Sequence, residues 1–246
     1  MISLKTLRAL SAVDALSVSR DTLLRSMAFV PLGLAAAARW LFPPAVAQLG
    51  ALLHIDLQTL YPQLMGYALL LLAPAICGMV IGFILLDQRD DRTLMALQVT
   101  PLPLTSYLVY RLAAPMLLSL AMTLIALPLS GLVSLRLIEL LLVAVAAAPL
   151  APLAALFLGA YAANKVQGFA IQKTMSIFLI VPFIGAQLPM PWRLLAGLFP
   201  TYWPAALLWA LDAGAGNAWA LLLIGLAYQG LLLLGLLRRF KRVVHQ

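Results

Sequence analysis

Long stretches of this chain carry no charged side chain: 57–86, 112–135, 140–164, 174–192 and 213–237, with a shorter run at 26–38. Crossing a hydrocarbon core about 30 Å thick takes roughly 20 helical residues, so five of these runs reach across unaided. The sixth reaches only if it continues past Arg39, whose long side chain can snorkel to the headgroups. Apolar residues make up 64% of the 246 residues and charged ones 10%, against about 45–50% and about 25% in a soluble domain. No soluble core of this size hides that much apolar side chain, so lipid must solvate much of it. The expected fold is an all-α membrane protein with six transmembrane helices, one domain over 1–246, with spans near 24–46, 61–86, 108–133, 138–162, 171–190 and 217–237.

Charge then orients the threading. Lys5, Arg8, Arg20, Arg25, Arg89, Arg92, Arg111, Lys165, Lys173, Arg238, Arg239, Lys241 and Arg242 fall on one side of six spans, leaving Arg39, Arg136 and Arg193 for the other. Short basic loops are retained in the cytoplasm, so both termini are expected there, in the plasma membrane of a prokaryote. The net charge of +8 is scattered among loops rather than gathered on one soluble face. It therefore points to anionic membrane lipid and not to nucleic acid. Residues 1–25, with Lys5, Arg8, Asp14, Arg20 and Asp21, are too polar for the core of a cleavable signal, and the first span is expected to act as an uncleaved anchor. Cys77 is the single cysteine and reads as a small apolar filler.

Two outer segments stand apart. Residues 43–60, between Pro43-Pro44 and Pro62, read as a loop holding His54 and Asp56. Residues 187–217 are apolar but cut by Pro189, Pro191, Pro200 and Pro204 into pieces too short to span, so short interfacial helices are expected. Trp40, Trp192, Trp203, Trp209 and Trp219 all fall at this outer boundary, where an amphipathic ring prefers to sit.

Catalytic chemistry is hard to find. The chain has two histidines, His54 and His245, and one glutamate, Glu139, beside Arg136. No HExxH, CxxC or GxSxG occurs, so no catalytic, metal or cofactor residue is assigned. Gly168-Phe-Ala-Ile-Gln-Lys173-Thr174 lacks the glycine before lysine that lets a loop close round phosphate. Ion-coupled carriers place acids or bases inside their spans. Beyond the first span these hold only mild groups: Tyr67, Ser119, Thr123, Ser130, Ser176, Gln187 and Tyr228. Energy for any transport must then enter from outside the bilayer.

The one dense charge cluster is Asp87-Gln88-Arg89-Asp90-Asp91-Arg92, leading into Thr93-Leu94-Met95-Ala96-Leu97 and Thr100-Pro101. Acids at the start suit a helix dipole and Pro101 stops the helix. Leu94 and Leu97 share one face of it. A plain turn needs no such helix; a docking cytoplasmic protein does.

Arg89-Asp90-x-x-Thr93-Leu94-x-x-Leu97-x-x-Thr100-Pro101 resembles the loop after the second helix in permeases of type-2 ABC exporters. Asp14 to Arg25 resembles that family's lead-in to the first helix. Asn164-Lys165-Val166-Gln167-Gly168 resembles its inner turn before the fifth, and Phe199-Pro200-Thr201-Tyr202-Trp203 its outer short-helix region. The chain looks closest to permeases for drug export, fluoroquinolones among them. The resemblance makes 87–100 a cytoplasmic coupling helix, with Arg89, Asp90, Asp91, Arg92, Thr93, Leu94, Leu97 and Thr100 facing a separate ATPase that binds ATP and Mg. It also implies a second permease half, identical or a paralogue, and a pathway lined from the second and fifth helices by Tyr67, Met79, Ser176, Phe183 and Gln187. The expected cargo is hydrophobic or amphipathic. The rivals are an assembly or anchoring protein without transport, and a secondary carrier.

Overall fold

A computed structural model describes residues 22–90, 104–189 and 191–244. All regular structure among them is helical: α1 (Thr22–Trp40), α2 (Phe42–Leu53), α3 (Leu57–Asp90), α4 (Leu104–Ser130), α5 (Leu137–Ala147), α6 (Leu150–Tyr161), α7 (Lys165–Ser176), a 3-10 turn (Ile177–Leu179), α8 (Val181–Gln187), α9 (Arg193–Ala196), α10 (Tyr202–Asp212) and α11 (Ala218–Val244). Five runs are long and apolar enough to cross a membrane: Leu57–Asp90, Tyr107–Ser130, Leu137–Tyr161, Lys165–Gln187 and Ala218–Arg242. A sixth arises if Phe29–Trp40 and Phe42–Leu53, bent by 56° at their junction, count as one broken span.

That bend departs from the loop expected at 43–60. Pro43 and Pro44 stand in the first turn of α2, where a missing N–H costs nothing and a fixed φ favours the helix. The two prolines therefore start a helix. His54 ends it in the left-handed region, φ 54, with its own N–H and that of Ile55 on the Gly50 carbonyl. Asp56 then caps α3: its Oδ1 accepts the Thr59 N–H at 3.2 Å and its Oδ2 the Thr59 hydroxyl at 2.5 Å. The outer His and Asp are cap residues for two successive helices.

At 34 residues α3 is the longest helix and the axis of the bundle, buried almost continuously from Gly66 to Leu86. It crosses α6 closely because both present small residues there. A Cβ added at Gly78 would collide with the Ala151 carbonyl oxygen, and one at Gly82 would stand 2.8 Å from a Leu158 methyl. Gly78-x-x-x-Gly82 is the small-residue spacing that lets helix backbones approach in lipid.

Two apolar clusters fill the bundle. One gathers Phe83, Leu85, Leu86, Tyr107, Leu156, Leu158 and Phe240 at the end of α3. The other gathers Leu69, Leu70, Leu71, Leu127, Val143, Leu207 and Leu208 nearer its start. The second takes in α10, whose Pro204, Ala205, Leu207, Leu208 and Ala210 are buried. At 11 residues α10 is too short to cross, yet it packs into the bundle rather than lying on it.

Pro149 and Pro152 break the run from Leu137 to Tyr161 into α5 and α6. Carbonyls at the break take further donors from elsewhere in the bundle, beside the Ala151 N–H on Ala148 O at 3.2 Å. The Ser119 hydroxyl reaches Ala148 O at 3.5 Å and Gln229 Nε2 reaches Ala146 O at 3.2 Å. Gln229 is fully buried, and a lone amide in the last helix serves a break in an earlier one.

Candidate functional site

The end of α3 bears the first half of the charge cluster. Asp87 Oδ2 pairs with Lys165 Nζ at 3.0 Å. Gln88 Oε1 accepts the Tyr107 hydroxyl, whose oxygen in turn accepts Arg111 Nε at 2.8 Å. The Arg89 guanidinium donates to Gly159 O at 3.2 Å and to Ala162 O and Ala163 O at 2.6 Å each. Those carbonyls close α6 and the turn after it; helix ends leave such groups without intrahelical partners, and a cation there opposes the dipole. Asn164 caps α7 by accepting the Gln167 N–H at 2.9 Å, and Gln167 Oε1 accepts the Ala163 N–H at 2.6 Å. Gly168 lies against Phe83 and Leu86, where an added Cβ would stand 2.9 Å from each. The end of α3 is thus fastened to the α6–α7 turn by an ion pair, an arginine fork and a tight glycine contact.

The residues expected to face an ATPase therefore separate. Arg89 is engaged with carbonyls of its own chain, while Asp90 is exposed. Asp91, Arg92, Thr93, Leu94, Leu97 and Thr100 lie outside the described residues. Arg111, expected as a boundary charge, is 1% exposed and its guanidinium stands 5.4 Å from the Tyr107 ring. Arg136 and Glu139 pair as expected. Arg136 N and Nε reach the carboxylate at 2.8 and 2.9 Å, and Glu139 thereby caps α5.

Between α3, α6, α7, the 3-10 turn, residues 198–201 and α11 lies a cavity of about 420 Å³. Its walls are aliphatic and aromatic, with Phe157, Tyr161, Phe178, Phe199 and Tyr228 among them. Three of its hydroxyls are turned to backbone: Thr201 to Phe178 O at 2.8 Å, Ser176 to Gln172 O at 3.0 Å, and Tyr228 to Leu198 O. Gln172 Oε1 is buried with no hydrogen-bond partner among the described residues. Phe157 and Tyr161, one helical turn apart on α6, stack at 4.6 Å, and the Arg239 guanidinium sits 4.0 Å from the Tyr161 ring centroid. No Asp or Glu occurs in 140–211 or 213–246, so every element lining the cavity except α3 is without acid.

Of the residues expected to line a pathway, Ser176 borders the cavity. Tyr67 stacks on Phe183 at 6.5 Å and meets the edge of Trp209 at 5.4 Å, forming a separate aromatic group. Met79 is buried in the packed core and Gln187 is exposed at the end of α8. The cavity walls supplied by α6 and α11 went unread in the sequence. The aromatic pair Phe157/Tyr161 at helical spacing, just before Asn164, was the signal available.

Apolar helices of spanning length, packed round a cavity of small-solute size, define a multi-pass membrane protein. Among the described residues no group of three or more His, Cys, Asp or Glu could hold a metal. The chain belongs to the family described as Fluoroquinolones export permease protein Rv2686c-like, whose model matches residues 14–237. It is similar to the fluoroquinolones export permease proteins of two Mycobacterium tuberculosis strains, CDC 1551 / Oshkosh and ATCC 25618 / H37Rv. Each is 29% identical over 239 residues, covering 96% of this chain and 94% of the relative. No solved structure matches the chain.

Proposed function

We propose that this permease is the membrane half of an ATP-driven exporter of the type-2 ABC class, carrying a hydrophobic or amphipathic, drug-like solute. The observation that carries the reading is the apolar cavity of about 420 Å³ between α3, α6, α7 and α11, within the range of about 300–1,000 Å³ that holds drug-sized ligands. Its lining has no ionisable group suited to a coupling ion, and the sequence has no phosphate-cradling loop. A separate ATPase, holding ATP and Mg, supplies the work. The relatives named for fluoroquinolone export support a planar amphipathic cargo.

In this reading the chain crosses the membrane six times with both termini cytoplasmic, and pairs with a second half, identical or a paralogue. The ATPase docks on 87–100, with Leu94 and Leu97 as anchors and Asp90, Asp91 and Arg92 around them. Movement of that segment reaches the cavity through the Asp87–Lys165 pair and the Arg89 fork, which tie α3 to the start of α7. The test is a Leu94→Ala/Leu97→Ala double substitution in cells expressing the neighbouring ATPase. Membrane levels should stay normal while ATPase co-purification weakens by about 2–5 kcal/mol and fluoroquinolone efflux is lost. Full ATPase binding and efflux in the double variant would overturn the coupling scheme.

A further inference from the structure

The cavity has a length and a polarity as well as a volume. Along α6 its wall runs from Leu150 to Tyr161, and along α11 from Tyr228 to Leu236. At 1.5 Å per residue these are roughly 16 and 12 Å, about half of a hydrocarbon core roughly 30 Å thick. The cavity is thus one leaflet deep, starting at the end of the bundle where α11 becomes basic. At that end Arg239 is held over the Tyr161 ring, 4.0 Å from its centroid. Contact with a ring face leaves the guanidinium N–H edges directed sideways, available to an anion. No carboxylate on α6, α7 or α11 competes for them.

We infer that the cavity is a site for an anionic lipid of the leaflet at that end, one acyl chain lying along α6 and α11 and the headgroup phosphate on Arg239. A slim apolar body matches the shape, and a phosphate at headgroup level matches the charge. Arg238, Lys241 and Arg242 draw anionic lipid to this surface in general. Among these four basic residues, Arg239 is the one stacked on a side chain that lines the cavity. A solute entering the same space would have to displace the chain. The inference does not depend on ATP coupling: absence of an ATPase partner would sink the export scheme and leave this site standing.

The experiment uses the purified full chain in nanodiscs of phosphatidylcholine containing a minor fraction of phosphatidylglycerol with the same acyl chains. Lipid retained after detergent exchange is read by native mass spectrometry. Wild type should retain one phosphatidylglycerol in preference to phosphatidylcholine by about tenfold or more, the scale of a charge-assisted hydrogen bond. Arg239→Gln should erase that preference, and Arg238→Gln, which removes the same charge, should keep it. Leu232→Trp, which narrows the cavity, should lower the retained lipid whatever its headgroup; if that variant fails to insert, the arginine pair decides alone. Equal retention of the two lipids by wild type, or equal effects of the two arginine variants, would overturn the site and leave only surface attraction. Release of the lipid by inorganic phosphate alone would likewise overturn it, because the head and not the chain would then be the ligand.

Discussion

Arg89 and Asp90 are neighbours in one charge cluster, yet the structure gives them different work. Arg89 holds three carbonyls of another helix end, and Asp90 faces outward. Arg89→Ala should therefore lower the apparent melting temperature of the purified chain, at a cost of about 2 kcal/mol, since carbonyls lose a charged donor. Asp90→Ala should leave it unchanged. Lysine at 89 should restore only part, because a single ammonium lacks the planar fork. Equal melting of the two alanine variants would show that the fork contributes nothing. The cap at Asp56 makes a pH-dependent statement. The Thr59 hydroxyl first, and then its N–H, hold the Asp56 carboxyl below the usual carboxylate range. A depressed folded pKa means the cap's contribution is complete above the ordinary carboxyl pKa and disappears as pH falls through the lower, folded value. The protection factor of the Thr59 amide, its exchange measured against the unprotected rate at the same pH, should fall on acidification through that window, and Asp56→Ala should make it low and flat with pH. His54 and Asp56 read in the sequence as residues of a loop, and prove to be caps because the helices on either side of them are invisible until Pro43 and Pro44 are placed in a first turn.

Among the helices, the α3–α6 crossing sets the architecture and offers a sharp contrast. A methyl at Gly78 would stand 2.3 Å from backbone, the Ala151 carbonyl oxygen, while one at Gly82 meets a Leu158 methyl at 2.8 Å, which can swing aside, and the Leu158 Cβ at 3.0 Å, which yields only by a small shift. Gly78→Ala should cost about 1–3 kcal/mol as forced overpacking and Gly82→Ala distinctly less, compared by melting temperature in detergent. The reverse order would mean the helices cross elsewhere. The apolar runs from 57, 112, 140, 174 and 213 all became helical, the run from 140 as α5 and α6 and that from 174 as the end of α7, a 3-10 turn and α8, because lipid leaves a long charge-free run little alternative. What did not follow from the runs is how helices meet. Gly78-x-x-x-Gly82 was present in the sequence, but nothing there names α6 as its partner. Arg111 looked like a boundary marker because a run ends at it; tertiary packing with Tyr107 buries it instead. The α5–α6 break falls at Pro149 and Pro152, and the side chains that reach its carbonyls, Ser119 and Gln229, sit 29 and 83 residues away.

At the scale of the molecule, the basic end of α11 and the cavity share one end of the bundle, and the orientation expected from charge is open to test. With Cys77 replaced by Ala, single cysteines at Ser3, Asp212 and Gln246 should react with an impermeant thiol reagent in intact cells only at Asp212. Reaction at Gln246 would reverse or break the six-span scheme. The candidate site was less legible than the fold. Tyr67, Met79, Ser176, Phe183 and Gln187 were chosen by their position on two helices, while a cavity wall is set by which faces of four helices converge. Ser176 alone reached it, and the walls of α6 and α11 had only an aromatic pair to announce them. The distant rescue of the α5–α6 break has a consequence for how the protein is made. A ribosome adds about 5–20 residues per second, so the 83 residues separating Ala146 from Gln229 take roughly 4–17 s to emerge. Throughout that interval the Ala146 carbonyl is without the side-chain donor that meets it in the folded chain. The packing around the α5–α6 break is therefore completed only when the last helix arrives.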